Sequence, residues 1–202
     1  MTDADALARL EALIQTQESA AVPWVPVTDY SAAARDVLER PHADLIVSTF
    51  HPEMVYDVGC GPGHLVRLLE AKGVAVVGFD KDAQGDAVSY DVASTLATRV
   101  KADLVICREV LEHLTVKEIA RAVRNLCGLS SRYVYVTTRF NLAPTHLLDV
   151  MTSDDLDPTH ISMTNQNFLR MLFVLEGFKR RADLEQTMDW RQYGRVLVYE
   201  RG

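Results

Sequence analysis

The chain has 202 residues, 48% hydrophobic and 24% charged, a composition typical of one globular domain with a full hydrophobic core. The net charge of −7 and the lack of a long lysine and arginine stripe argue against a nucleic acid partner. The first thirty residues lack a basic start with an apolar run, and no apolar stretch reaches membrane-spanning length, so we expect a soluble protein that is neither exported nor membrane-bound.

The N-terminal part predicts short helices joined by an apolar linker. Thr2 is placed to cap a first helix, which Pro23 interrupts. Ser31 then begins a second short helix that Pro41 is expected to end. Residues 42–50 are apolar enough to predict a further helical segment.

The stretch from Met54 to Asp80 predicts a strand, a glycine loop, a helix and a second strand. The first apolar run contains Asp57 near its end, and the second ends in Asp80. Because parallel strands are joined by a right-handed crossover, the loop and both aspartates should lie together at the carboxyl edge of a sheet. The three alternate glycines of the loop are Gly59, Gly61 and Gly63.

The spacing of this loop indicates which nucleoside it binds. A dinucleotide-binding loop has a third glycine where this chain has His64, so a dinucleotide is disfavoured. Asp80 is suited to the two hydroxyls of a ribose, whereas an ionised Asp57 would repel phosphate and favour an ammonium group. S-adenosylmethionine has a ribose and an ammonium group and no phosphate.

With this D-x-G-x-G-x-G motif and the later acid, the chain resembles the class I S-adenosylmethionine-dependent methyltransferases. The resemblance implies an α/β fold with a doubly wound, seven-stranded, mostly parallel Rossmann-like sheet and an antiparallel last strand. It also implies two parts, an N-terminal helical extension or lid at residues 1–50 and a methyltransferase domain at residues 51–202. Trp24 and Tyr30 of the extension would be either lid residues over the cofactor or ordinary core residues.

The region after Asp80 predicts a shortened crossover. Residues 81–86 are too few for a crossover helix before the next apolar run, residues 87–92. By resemblance, Asp91 lies near the adenine amino group of the cofactor. The alternative is that Asp91 caps a helix beginning at Val92.

A second motif follows the buried strand predicted for residues 103–107. The run D-L-V-I-C-R-E-V-L-E-H-L again resembles the methyltransferases, in which this strand end and the following turn contact the methionine part of the cofactor. Arg108 and Glu109 would make these contacts or point to solvent. Thr115 and Glu118 predict a capping box for a helix that ends near Gly128.

The remaining elements complete the expected sheet. Residues 133–138 predict a strand, and residues 139–163 form a long connection containing four aspartates and two histidines. Thr164 is expected to cap a helix that stops at Gly177. Residues 178–182 and 195–199 predict an antiparallel pair of strands.

The resemblance implies S-adenosyl-L-methionine as the cofactor and assigns a set of binding residues to it. They are Asp57, Gly59, Cys60, Gly61, Gly63, Asp80, Lys81, Asp91, Val92, Arg108 and Glu109.

The expected reaction is in-line methyl transfer to an oxygen or nitrogen atom of a small polar acceptor. An acceptor that must lose a proton needs a base, and we assign that catalytic role to His160 because histidine titrates near neutral pH. In the alternative, His160 and Asp157 only fasten the long connection to the next helix.

Two other functions stay open. Glu109, Glu112, His113 and His160 are similar to the metal ligands of small-RNA 2′-O-methyltransferases, although E-V-L-E-H is also common among metal-free relatives, and we predict no metal. The domain could instead bind S-adenosylmethionine without catalysis, as a partner subunit. The sequence leaves the acceptor and the oligomeric state undetermined.

The chain has three cysteines, an odd number without metal-ligand spacing. They predict reduced thiols and a cytoplasmic location.

Overall fold

A computed structural model describes residues 32–95, 98–140, 159–162, 164–190 and 194–202, with side chains from residue 39 onward. Its helices are α1 (Ala32–Phe50), α2 (His64–Glu70), α3 (Val116–Leu129), α4 (Gln166–Leu175) and α5 (Ala182–Met188). Its strands are β1 (Met54–Val58), β2 (Ala75–Asp80), β3 (Val88–Ser89), β4 (Ala102–Arg108), β5 (Ser130–Thr137), β6 (Phe178–Arg180) and β7 (Val196–Arg201). A short 3-10 helix spans Leu111–His113.

The described strands form one seven-stranded sheet in the order β3-β2-β1-β4-β5-β7-β6. Neighbouring strands are parallel except that β7 runs antiparallel to both β5 and β6. The expected doubly wound sheet with an antiparallel last strand is therefore confirmed. The chain moves outward from β1 in one direction through β2 and β3, and then in the other direction through β4 and β5. This reversal opens a crevice at the carboxyl ends of β1 and β4, where sheets of this type bind ligands.

Helices cover both faces of the sheet, and each face has its own hydrophobic core. On one face, α3 and α4 pack on alternate residues of the central strands, including Val58, Val105, Cys107, Val134 and Val136. On the other face, α1 and α2 pack on the intervening residues, including Val55, Leu104, Ile106 and Tyr135. Because both faces of the central strands are buried, the sequences of these strands are nearly continuously apolar.

The interpretation of α1 as two segments separated by Pro41 is wrong, because one helix runs through this proline. A proline inside a helix costs about 3 kcal/mol. Beyond it, Ile46 and Phe50 are buried to 0% and 4% exposure on the sheet. Each such side chain contributes about 1.5 to 3 kcal/mol on burial, which offsets the cost and keeps the helix continuous.

The prediction that no ordinary crossover helix joins β2 to β3 is confirmed, since residues 81–87 form only turns and irregular structure. The helix expected to begin at Thr164 instead has Asn165 as its cap, with its side chain accepting a hydrogen bond from the Asn167 amide. The helix α5 between the last two strands was not predicted. None of the helices in the described ranges has the length and apolar character that crossing a membrane requires.

The three cysteines are free thiols. Cys107 on β4 and Cys127 on α3 are both buried in the core between α3 and the sheet. The cytoplasmic location stays a prediction.

Candidate active site

The glycine loop after β1 is fixed by hydrogen bonds to the end of β2. The amides of Gly59 and Cys60 both donate to the Phe79 carbonyl, at 2.7 and 3.1 Å. Gly59 has a φ of 81°, and a Cβ on it would lie 2.2 Å from the Cγ2 atom of Val110. Gly61 also has a positive φ, but its missing Cβ would face open space. The loop thus packs tightly at one glycine and leaves room for a ligand at the next.

Asp80 at the end of β2 is held by the loop it faces. Its Oδ2 accepts a hydrogen bond from the Gly61 amide at 2.7 Å, and its Oδ1 accepts one from the Asp82 amide at 2.9 Å. Each carboxylate oxygen has a second lone pair, which suits it to accept a further bond from a hydroxyl. Lys81, which lies between Asp80 and Asp82 in the chain, is exposed in the turn.

Asp57 lies in the interior of the crevice, with 3% of its surface exposed. Burial raises the pKa of its carboxyl to about 6, and the charge of Arg108 opposes that rise. Ionisation of buried Asp57 therefore costs free energy, and a cationic group beside it would lower that cost. Neighbouring Cys60 is half-buried, and burial followed by the charges of the two aspartates raises the pKa of its thiol to about 12, which favours the protonated thiol.

Asp91 begins a turn and not the helix considered as its alternative role. Its Oδ1 accepts a hydrogen bond from the Ala93 amide at 2.8 Å. This turn is held from α3, where buried Asn125 donates to the carbonyls of Val92 and Ser94 at 2.8 and 3.0 Å. Asn125 was not predicted from the sequence, although a polar residue between the inward-facing Val123 and Leu126 is a usable signal.

Arg108 at the end of β4 contacts helix α1. Its guanidinium lies 2.9 Å from Glu39 Oε2 and 2.8 Å from His42 Nδ1, and His42 Nε2 lies 2.9 Å from the Tyr135 hydroxyl. Burial acts to raise the pKa of Glu39, but the hydrogen bond to His42 and the Arg108 charge bring it down to about 2. Glu39 and His42 were missed because their importance depends on a partner 69 and 66 residues away.

Two glutamates follow β4 on a tight turn. Glu109 has a left-handed φ of 52°, and its amide donates to the Thr137 carbonyl at 2.8 Å. Glu112 is fully buried, and its Oε2 accepts a hydrogen bond from the Thr138 hydroxyl at 2.8 Å. Within the described chain its Oε1 has no hydrogen-bond partner. Burial, and after it the charge of Glu109, raises the pKa of Glu112 to about 8.

His113 and His160 lie beside Glu112. The backbone holds residues 159–162 against the turn, since the Ser162 amide donates to the Glu112 carbonyl at 3.0 Å. His113 Nδ1 lies 3.0 Å from the Thr159 carbonyl, and the two imidazole rings are 4.9 Å apart between centroids. One potential ligand atom from each of Glu112, His113 and His160 lies within 4.8 Å of the others.

The structure therefore brings together three of the four residues considered as metal ligands, while Glu109 is not in that group. Several residues named in the sequence analysis lie outside the described residues, namely Trp24, Tyr30, Asp157 and the remaining aspartates of the long connection.

Comparison with known proteins identifies the fold independently. Residues 30–182 match the model of a family described as a methyltransferase domain. A search of curated proteins finds no match.

Solved structures of methyltransferases have the same fold. Magnesium protoporphyrin IX methyltransferase from Synechocystis PCC 6803 with bound SAH has a TM-score of 0.61 and 18% identity over 98% of this chain and 95% of that one. A SAM-dependent methyltransferase from Archaeoglobus fulgidus has a TM-score of 0.60 and 14% identity over 85% and 95%. Human N-acetylserotonin methyltransferase in complex with SAM has a TM-score of 0.54 and 13% identity over 85% and 55%.

Proposed function

The chain belongs to the methyltransferase-domain family, and we propose that it transfers the methyl group of S-adenosylmethionine to an oxygen or nitrogen atom of a small polar acceptor. The observation that carries the proposal is the hydrogen bond between the Gly61 amide and Asp80, which joins an open glycine loop to a carboxylate suited to a ribose. Asp57, buried beside the loop, would receive the ammonium group of the cofactor.

Bound S-adenosylmethionine supplies a methyl group that is already activated on a sulfonium. The residues of this chain then have to orient the acceptor, take up its proton and exclude water. Related folds have been solved with SAM or SAH bound. Two of these proteins are named for small-molecule acceptors, a porphyrin and N-acetylserotonin, which supports a small acceptor for this chain.

His160 is the proposed general base. Its segment is held by two hydrogen bonds that do not use the His160 side chain, from the Ser162 amide to Glu112 and from His113 to the Thr159 carbonyl. The imidazole lies beside Glu112 and His113, with its ring centroid 4.9 Å from that of His113, and this placement supports a chemical role.

Titration calorimetry with S-adenosylmethionine, S-adenosylhomocysteine and NAD tests the cofactor. We expect both sulfur compounds to bind and NAD not to bind; NAD binding would contradict the proposal. Incubation with S-adenosylmethionine and metabolite pools, followed by mass spectrometry, should then reveal a product heavier by one methyl group. Cofactor binding without any methylated product would instead indicate a non-catalytic partner subunit.

A second candidate function is metal-dependent methyl transfer to a hydroxyl, such as the 2′-hydroxyl of RNA. The observation favouring it is the group of Glu112, His113 and His160, which offers one carboxylate and two imidazoles. His113 Nδ1 can only donate to the Thr159 carbonyl, which leaves Nε2 as an electron-pair donor, an arrangement common around bound metals. Glu112 Oε1, which accepts no hydrogen bond from the described residues, also suits a metal ion. The net charge of −7 opposes an RNA acceptor.

Chelation distinguishes the two proposals. For the metal-free reaction, we expect activity to persist in EDTA and crystals soaked in Mn²⁺ to show no ion between Glu112 and the two histidines. Loss of activity in EDTA and its recovery with a divalent ion would establish the second candidate.

A further inference from the structure

Polar side chains join helix α1 to the carboxyl end of β4. Arg108 forms a two-pronged ion pair with Glu39, from Nη2 to Oε2 at 2.9 Å and from Nη1 to Oε1 at 3.3 Å. Arg108 Nη1 also lies 2.8 Å from His42 Nδ1, and His42 Nε2 lies 2.9 Å from the Tyr135 hydroxyl. A planar guanidinium held in this way has a fixed orientation. We call Glu39, His42 and Arg108 the arginine cluster.

The arginine cluster is largely withdrawn from water. The side chains of Glu39 and Arg108 are 23% and 24% exposed, and that of His42 is 8% exposed. Charges in such surroundings are screened less than charges on the surface, and they act more strongly on their neighbours. The charges of Glu39 and Arg108 can therefore influence a nearby buried group.

Asp57 is such a group, and it lies on the same face of the sheet as Arg108. Successive side chains of a strand alternate between the two faces, so Asp57 shares the α1 face with Val55. By the same alternation, Arg108 shares this face with Ile106. In the parallel pairing of β1 with β4, Asp57 is opposite Ile106, two residues before Arg108. The carboxyl and the guanidinium thus belong to diagonal neighbours on adjacent strands.

The charges around Asp57 act on it with opposite signs. Burial raises the pKa of its carboxyl most, the Arg108 charge lowers it, and the charges of Glu39 and Asp80 raise it. The charged or titratable groups on the elements around Asp57 and Arg108 are Glu39 and His42 on α1, Cys60 in the glycine loop, Asp80 on β2 and Tyr135 on β5. Helix α1 thus supplies a charge that opposes Arg108.

We propose that Glu39 and His42 are positioning residues that hold Arg108 beside Asp57, and that the charges of the arginine cluster control when Asp57 can receive the ammonium group of the cofactor. The inference rests on the proposed methyl transfer for the identity of that ammonium group. It gives α1 a part in cofactor binding, although none of the expected cofactor contacts lies on this helix.

The first test follows the side-chain carboxyl carbon of Asp57 by NMR between pH 4 and pH 8, in the whole chain without cofactor. Asp57→Asn assigns the signal. Glu39→Gln removes a negative charge and should lower the titration midpoint of Asp57 by about half a pH unit or more. Arg108→Gln removes a positive charge and should raise it by about as much. The double variant should have a midpoint between those of the two single variants, because the two effects oppose each other.

His42→Phe tests the positioning role, because it keeps both charges of the ion pair and removes the contact with Arg108 Nη1. It should raise the midpoint of Asp57 by less than Arg108→Gln does. The matched controls are Arg124→Gln and Glu176→Gln, which make the same charge changes in an ion pair on the other face of the sheet. They should leave the midpoint unchanged.

Calorimetry with S-adenosylhomocysteine over the same pH range gives the second readout. The pH below which affinity declines should follow the midpoint of Asp57, so it should be lower in Glu39→Gln and higher in Arg108→Gln. A purely structural role of the arginine cluster would lower stability or affinity without moving that pH.

Unchanged midpoints of Asp57, or midpoints that move in the same direction in both single variants, would overturn the inference. A loss of affinity at every pH with an unchanged midpoint would also overturn it, because Arg108 would then contact the cofactor directly. An unchanged midpoint in His42→Phe would remove His42 as a positioning residue.

Arg108→Gln leaves Glu39 without its cation, and this variant could fail to fold. Glu39→Gln then decides alone, since only a downward shift of the midpoint agrees with the inference. If wild type does not bind S-adenosylhomocysteine at any pH, the proposed methyl transfer fails. The NMR titration needs no cofactor and still decides whether the arginine cluster controls Asp57.

Discussion

The two halves of the candidate site differ in how far apart in the chain their hydrogen-bonded residues lie. The cofactor side, residues 57–63 and 80–82, is joined by a hydrogen bond between residues 19 positions apart. The acceptor side, residues 109–113, 138–139 and 159–162, is joined by hydrogen bonds between residues 26 and 46 positions apart. The cofactor side is thus a local unit, whereas the acceptor side requires the folded sheet.

The two sides also differ in how many hydrogen bonds their carboxylate oxygens accept. Both oxygens of Asp80 accept a backbone hydrogen bond. Glu112 is fully buried, and its Oε1 has no hydrogen-bond partner within the part of the chain that the structure describes. Burial, and after it the charge of Glu109, raises its pKa to about 8. A buried oxygen without a hydrogen bond costs free energy. We therefore infer that the carboxylate of Asp80 is held in place before a ligand binds, whereas Glu112 can still form a bond to a ligand or hold a proton. Four substitutions test this contrast.

The largest effect is expected for Gly59→Ala, because Gly59 packs against Val110 of the acceptor side. The new Cβ would lie 2.2 Å from Val110 Cγ2 at a φ of 81°, so overpacking and backbone strain together should lower the free energy of unfolding by about 3 kcal/mol or more. Gly61→Ala is the control and should cost about 1 to 2 kcal/mol, from its positive φ alone. Urea denaturation measures both, and equal losses would mean that the two sides are not packed together at Gly59.

His160→Ala should reduce turnover by about a hundredfold or more while the affinity for S-adenosylhomocysteine stays near wild type. Steady-state kinetics and calorimetry measure the two quantities. The control is His51→Asn, a substitution at an exposed histidine just before β1, which should leave turnover unchanged.

If His160 only fastens its segment, the same alanine variant should instead melt at a lower temperature and show a higher KM for the acceptor. Wild-type turnover at saturating acceptor would remove His160 as the base.

Asp80→Ala should weaken binding of S-adenosylhomocysteine by about 1.5 to 3 kcal/mol, because two ribose hydroxyls lose their charged acceptor. Asp82→Ala removes an exposed carboxylate and keeps the amide that donates to Asp80, so it is the control and should bind normally. Calorimetry on folded variants decides, and wild-type affinity in the Asp80 variant would contradict the ribose assignment.

The smallest expected effect is the pH dependence that Asp57 gives to the free energy of unfolding and to cofactor affinity. Its pKa, near 3.8 without the fold, is raised to about 6 by burial, so the folded chain holds this proton more tightly. Its contribution to the free energy of unfolding is therefore largest below about pH 4 and declines as the pH rises to about 6. Cofactor affinity should change in the opposite sense, falling by up to about tenfold per pH unit below pH 6, because the ammonium group prefers ionised Asp57.

Asp57→Asn is the matched variant for this pH dependence. It should remove both trends, bind the cofactor more weakly at pH 7, and unfold at a higher denaturant concentration there than wild type. Calorimetry and urea denaturation between pH 4 and pH 8 measure these effects, and an unchanged pH profile in the variant would show that another group is responsible.

Local sequence patterns were sufficient to predict the sheet and the positions of the glycine loop and Asp80 at its edge. Strand and helix periodicity, positive-φ glycines and an acid at a strand end are all properties of short stretches, and the handedness of the crossover then fixes their common edge. The capping box of Thr115 and Glu118 was predicted for the same reason and is present.

Three other features were decided by the tertiary structure: the continuity of helix α1, the partner of Arg108 and the neighbours of His160. Each of them depends on contacts between segments that are distant in the chain. Helix α1 continues through Pro41 only because Ile46 and Phe50 are buried on the sheet, and propensity alone does not contain that free energy. The pairing of Arg108 with Glu39, a residue 69 positions earlier, could not be predicted from local pattern. Likewise, His160 acquires Glu112 and His113 as neighbours only when the segment after the long connection is hydrogen-bonded onto the turn after β4. The sequence by itself thus determined the sheet and the meeting of the glycine loop with Asp80 at one edge, and only the packing of segments remote in the chain brought Glu112, His113 and His160 together.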